Sequence, residues 1–180
     1  MEAILVIKAK QGNRKAFEAL FRLWQPKIFA HAYQTTQQKE AVEEIAQETW
    51  LAIARQLRNL RDEELFPIWV YRITQKKAAD WLRAKYREPA TERVSEAISA
   101  PEKSAQEPSS MIRLLRKEIA GLSADHRLIL NLFYLENYDL EEIAIILQLS
   151  KGTVKSRLHY AREKLRKRIE ANSISHDTKK

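Results

Sequence analysis

Cysteine is absent from this chain, and glycine occurs only 3 times in 180 residues. Without a thiol there is no disulfide framework, no thiolate metal site and no cysteine nucleophile. The absence fits a reducing compartment. So few glycines argue against a phosphate-cradling glycine loop and against a turn-rich β-protein. Long apolar runs are missing as well. The longest uncharged stretch, residues 28–38, is half polar and far short of the ~20 apolar residues a membrane span requires. Near the start, Lys8, Lys10, Arg14, Lys15 and Glu18 interrupt anything resembling a signal peptide. The four histidines (His31, His126, His159 and His176) show no metal-ligand spacing, and no serine lies in a nucleophile elbow. The sequence therefore offers no catalytic residue, no metal site and no cofactor. What is present is a basic chain, 32 Lys and Arg against 24 Asp and Glu, that is 44% hydrophobic and so able to bury a core. The expectation is a soluble, cytoplasmic, all-α protein.

Charge and composition divide it. Residues 1–90 hold 16 basic and 11 acidic groups, residues 111–170 hold 12 and 8, and the segment between them holds 2 and 4. That middle segment, 91–110, contains Pro101, Pro108 and five serines with almost no large apolar residue. It reads as a flexible linker between two small helical domains, followed at the far end by a polar tail, 171–180. In the first domain Gly12 can end a short opening helix and Asn13 can cap the next, with a break or kink expected at Pro26. A third helix is expected from about Lys39 to Leu57, a polar loop over 59–65, and a fourth helix from Pro67 to about Tyr86. In the second domain helices are expected over 111–119, 124–135 (capped by Ser123), 139–147 and 151–169.

The tightest motif is in that second domain. Asp139 and Glu142 have capping-box spacing, three residues (148–150) form a short turn, and Ser150 can cap the last helix. Val154, Leu158, Ala161 and Leu165 fall in a narrow arc that can pack on Ile143, Ala144 and Leu147. Residues 151–168 nevertheless hold eight basic groups and a single acid. A helix so charged is readily explained if phosphates supply its counter-charge, and the pattern is that of a helix-turn-helix. Its first turns then offer Lys155, Ser156, His159 and Tyr160 to base edges, with Arg157, Arg162, Lys164 and Arg166 as phosphate contacts. On the fourth helix of the first domain, Arg72, Lys76, Arg83 and Arg87 fall within about 60° of one another at 100° per residue, joined by Trp69. Cations beside an aromatic suit unstacked single-stranded bases.

These residues also carry a resemblance. Residues 122–168, and GTVKSRLHYAREKL in particular, resemble the −35 recognition domain of extracytoplasmic-function (ECF) sigma factors. Residues 43–88 resemble the family's N-terminal domain, with EEIAQETW similar to its polymerase-binding motif and FPIWVYRI to the start of its −10 helix. The resemblance implies a bacterial initiation subunit of two domains. It implies docking on core RNA polymerase through Glu44, Gln47 and Glu48, whose i, i+3, i+4 spacing shares one helix face. It implies opening and recognition of single-stranded −10 DNA by the loop from Leu60 to Leu65, including Arg61, and by Trp69, Arg72, Lys76 and Arg83. It implies duplex −35 contacts from Lys151, Thr153, Lys155, Ser156, Arg157, His159, Tyr160 and Arg162, and an anti-sigma factor as a further partner, with no membrane insertion. Four positions depart from the family pattern: Lys76 replaces a frequent Asn, Leu60 an aromatic, Tyr160 a frequent Arg and Gln148 a frequent Gly. A lost Arg removes a guanine contact of about 1–3 kcal/mol, so the promoter sequence cannot be copied from relatives. The alternative is a helix-turn-helix regulator that binds duplex DNA without polymerase, which leaves EEIAQE and the tryptophan-bearing basic helix unexplained.

Overall fold

The computed structural model describes the backbone of residues 1–87 and 110–177 and the side chains of 1–87 and 111–171. The expected linker, 91–110, lies outside the described residues except for Ser110, which opens a helix. The described residues form eight α-helices: α1 Glu2–Lys10, α2 Arg14–Thr36, α3 Lys39–Gln56, α4 Phe66–Arg87, α5 Ser110–Ala120, α6 Ala124–Leu130, α7 Leu140–Leu147 and α8 Lys151–Asp177. No strand occurs among them.

The helix ends follow local chemistry. Asn13 accepts a hydrogen bond from the Ala16 N–H (3.1 Å) at the start of α2. Asp139 and Glu142 form the full capping box of α7, and Ser150 accepts from the Thr153 N–H (3.1 Å) at the start of α8. Ser123 occupies the N-cap of α6 but makes no side-chain capping bond. The break expected at Pro26 does not occur, since α2 runs through it. Pro26 and Arg22 both lie on the exposed side of α2, so the Arg22 carbonyl that loses its N–H partner is left to water at little cost. The loop expected over 59–65 is shaped by two 3₁₀ turns, Leu57–Asn59 and Glu63–Leu65. The helix expected over 124–135 changes pitch after Leu130 into a π turn over Asn131–Leu135. The last helix, expected to end near Ile169, continues to Asp177.

α2, α3 and α4 pack mutually, with α1 laid on α2. Leu20, Trp24, Ile28, Ile45, Ile53, Phe66, Val70 and Tyr71 are almost wholly buried at their centre. Trp24 makes edge contacts with Phe66 (5.7 Å) and Tyr71 (5.3 Å), a geometry that adds about 1 kcal/mol per pair beyond burial. In the second half Val154, Leu158 and Ala161 of α8 are buried against Ile143 and Ile146 of α7 and Ile129 and Leu132. The predicted arc is thereby present, with Ile146 as a core member the arc had not included. The two halves also touch: α4 packs on α7 and α2 on α6, so a single apolar core runs across both.

His31 is buried within α2, where its Nε2–H donates to the Gln75 side-chain oxygen (2.9 Å). Burial, partly opposed by that bond, lowers its pKa to about 4. The unfolded chain, with an ordinary value of 6.5, takes up this proton first. The stabilisation is therefore complete above pH 6.5 and lost as pH falls toward 4, amounting to about 3 kcal/mol. Urea unfolding across that range should show the loss in the native chain, and the pH slope should shrink in His31→Leu. An unchanged slope would mean that the ring is not buried in its neutral form.

Candidate nucleic-acid interface

The inner side of α4 buries Phe66, Val70, Tyr71, Thr74 and Ala78. That burial turns Arg72, Lys76 and Arg83 outward to solvent and leaves Trp69 half-buried beside Phe66, with ring centroids 6.0 Å apart. Trp69, Arg72, Lys76 and Arg83 line one cleft of about 640 Å³, whose opposite wall includes Leu147 and Gln148 from the turn after α7. Arg83 also pairs with Asp80 one turn away (2.7 Å), an exposed contact worth under about 1 kcal/mol and easily exchanged for a phosphate. Leu60, half-buried, and Arg61, exposed, lie between the two 3₁₀ turns. Their loop is held from α1: the Lys10 ammonium donates to the Leu60 carbonyl (2.6 Å) and pairs with Glu63. This bond and charge keep the Glu63 carboxyl below its usual range. Lys10 had no signal in the sequence, because its two partners lie 50 and 53 residues away.

On α3, Glu44, Gln47 and Glu48 are all exposed and share one face. Their surroundings differ. Glu44 accepts the Trp81 indole N–H (2.8 Å) and Glu48 pairs with Lys77 (2.9 Å), so both are tied to α4. That lysine, first by its hydrogen bond and then by its charge, lowers the Glu48 pKa. Gln47 instead borders an apolar groove formed with Phe17, Phe21, Trp50 and Leu51. The acidic face is therefore ordered in advance, and an apolar surface adjoins it.

In the second half, the turn between α7 and α8 needs one left-handed residue, and Gln148 supplies it with φ 55°. A non-glycine residue there costs about 1 kcal/mol. The Leu149 N–H closes onto the Ala144 carbonyl (3.0 Å), fixing the junction. The residues predicted to meet DNA fall into two groups. Lys155, Ser156, His159 and Tyr160 are exposed on the outer side of α8, with the His159 and Tyr160 rings edge to face at 5.7 Å. Ser156 donates to the Gly152 carbonyl (3.0 Å). The others are engaged within the fold. Thr153 takes part in the Ser150 cap (2.8 Å), and Lys151 pairs with Glu141, which raises its pKa. Arg157 pairs with Asp125 (2.9 Å), and Arg162 lies over the rings of Phe133 (5.2 Å) and Tyr134 (5.4 Å). Asp125, Phe133 and Tyr134 thus steady the flank of α8, a role that spacing alone could not show.

The geometry defines a two-part, all-α nucleic-acid-binding protein: a helix-turn-helix on one side, and on the other a basic helix beside an aromatic and an ordered acidic face. Comparison with known proteins gives the family. Residues 20–88 match Sigma-70 region 2 and residues 119–167 match Sigma-70, region 4. The chain is 28% identical to the RNA polymerase sigma-H factor of Pseudomonas aeruginosa over 179 residues, covering 92% of both chains. It is 28% identical to the ECF RNA polymerase sigma-E factor of Escherichia coli K12 over 182 residues, covering 94% of both. Among solved structures it is similar in fold to the sigma factor RpoE of Bartonella quintana in complex with the anti-sigma factor NepR (TM-score 0.68, 23% identity, 87% of this chain and 98% of that one). It is also similar to CnrH in complex with the cytosolic domain of CnrY (TM-score 0.63, 22% identity, 94% and 97%). The chain belongs to the ECF sigma factor family. It is accordingly an alternative sigma factor that directs promoter-specific transcription initiation. No described helix is long and apolar enough to cross a membrane.

Proposed function

We propose that the chain divides initiation among three surfaces. The α3 face of Glu44, Gln47 and Glu48, with the adjoining groove, docks on core RNA polymerase. The α4 stripe of Arg72, Lys76 and Arg83, with Trp69 and the loop at Leu60 and Arg61, takes the opened −10 strand. The outer side of α8 reads the −35 duplex. The observation that carries this reading is the pairing of two differently built basic surfaces in one chain. One is a capped helix-turn-helix with exposed Lys155, His159 and Tyr160, suited to a major groove. The other is a basic stripe with an aromatic in a cleft, suited to a single strand. A regulator of duplex DNA alone has use for only the first. Lys151, Thr153, Arg157 and Arg162 are assigned to backbone contact and to positioning α8, in keeping with their internal partners. An anti-sigma factor is the proposed inhibitory partner, supported by the structural relative RpoE, which was solved with the anti-sigma factor NepR.

The test is base preference. Lys155→Ala should change the preferred −35 bases in transcription from a randomised promoter library, costing about 1–3 kcal/mol at the affected position. A uniform loss across all sequences would place Lys155 on phosphate only.

A further inference from the structure

The loop between α3 and α4 is built from two short turns that do not close on each other. In the first, the Leu60 N–H donates to the Leu57 carbonyl (3.2 Å). In the second, the Leu65 N–H donates to the Asp62 carbonyl (3.3 Å), and the Asp62 carboxylate accepts from the Glu64 N–H (3.0 Å). Each such bond fixes only the few residues it encloses. Leu60 leaves the first turn in extended backbone, with φ −65° and ψ 116°. The span 60–62 therefore takes its shape from contacts outside the loop.

Lys10 supplies such a contact on both sides of that span. Its ammonium donates to the Leu60 carbonyl, where the first turn ends (2.6 Å), and pairs with Glu63, where the second begins. A carbonyl held in direction fixes its whole peptide plane, here the plane from which Arg61 departs. The Lys10 side chain is 21% exposed and that of Glu63 26%, so both bonds are partly shielded from water and strengthened by it. The helix behind Lys10 is itself anchored. Val6 is fully buried, and at the far end of α1 Glu2 accepts the indole N–H of Trp24 (3.0 Å), which is fully buried in the core. α1 also packs along the second turn. It works as a strut between core and loop. α1 precedes the residues that match Sigma-70 region 2, which begin at residue 20, so the strut stands outside the matched part of the fold.

We infer that Lys10 is a positioning residue for −10 recognition: by stapling the two turns it sets the aim of the span 60–62 toward the opened strand, and with it the base preference where that span meets the DNA. The inference rests on the assignment of this loop to the −10 strand. Lys10 itself touches no DNA. Its effect passes through the peptide between Leu60 and Arg61, so it is confined to one part of the −10 element.

Lys10→Met tests this, because it keeps the length and apolar stem of the side chain and removes its charge and donors. Holoenzyme is given promoters randomised over the −10 element with the −35 element held constant, and the transcripts are sequenced. Recognition groups must be held to about 0.5 Å, and misplacement by about 1 Å costs up to about 100-fold. Lys10→Met should lower discrimination at one −10 position about tenfold, with preference at the other positions and affinity for core polymerase unchanged. Lys10→Arg, which keeps a cation with donors, should stay within about twofold of the native chain. Glu63→Gln leaves the Leu60 bond in place and should move the same position about threefold. An even loss over all −10 positions in folded Lys10→Met, or an unchanged preference, would overturn the inference. If circular dichroism shows that Lys10→Met does not fold, Glu63→Gln decides by the same criteria. Leu60→Ala with Arg61→Ala separates the two levels of failure. A preference changed there but not in Lys10→Met removes the role of Lys10 alone, whereas a preference unchanged in both removes the loop from the −10 strand.

Discussion

Arg72→Ala with Lys76→Ala should leave the protein folded and able to place polymerase on a promoter, yet impair opening of the DNA 30- to 100-fold. Both side chains are exposed on α4, and surface changes of this kind usually alter stability by less than about 0.5 kcal/mol. A net hydrogen bond contributes about 1–1.4 kcal/mol, so losing two from the single strand removes about 2–2.8 kcal/mol, which gives that factor. The salt dependence of the open complex should also flatten, by about 0.7 in logarithmic slope per lost phosphate contact. Permanganate reactivity of unpaired thymines reports opening, and footprinting reports the closed complex. An equal loss in both would place the stripe on duplex DNA and remove its role in melting.

Gln47→Ala with Glu48→Ala should weaken binding to core polymerase about 30-fold, the effect of losing about 2 kcal/mol at the centre of an interface. Fluorescence titration of labelled protein against core enzyme measures it, with circular dichroism as the check on folding. Since Glu48 pairs with Lys77, Lys77→Ala provides the comparison. If docking uses the carboxylate directly, Lys77→Ala should leave the affinity nearly unchanged. If Lys77→Ala reproduced the whole loss, the pair would act through the α3–α4 packing and not through polymerase contact. Unchanged affinity in the double variant would remove the docking assignment.

Much of this was legible in the sequence because it rests on local rules. The α7 and α8 boundaries followed from Asp139, Glu142 and Ser150, whose capping bonds involve residues two or three positions away. The α8 arc and the α4 stripe followed from helical period alone. The left-handed turn at Gln148 was signalled by a position where the family has glycine. Failures came where a distant partner decides the outcome. A break or kink was expected at Pro26; α2 does not break there, and its exposed side lets water satisfy the freed carbonyl. The continuation of α8 beyond Ile169 came from no cap or breaker that pattern reading could weigh. Lys10 under the Leu60 loop, Asp125 on Arg157 and the rings beneath Arg162 are long-range contacts, invisible to spacing. The same holds for the packing of one half on the other. Each half carried its own apolar stripe, so nothing in the sequence announced that Tyr71 and Tyr138 would meet.

The central claim is that this chain gives core polymerase its promoter specificity. Native protein, bacterial core enzyme and fragmented genomic DNA from the source bacterium, followed by sequencing of RNA 5′ ends, test it most directly. The account predicts discrete new starts that share two upstream motifs, appear only when both proteins are present, and are lost on substituting Gln47 and Glu48. No new starts, with a characterised sigma factor active in parallel and with tight duplex binding by the chain alone, would contradict it and favour a regulator that works without polymerase.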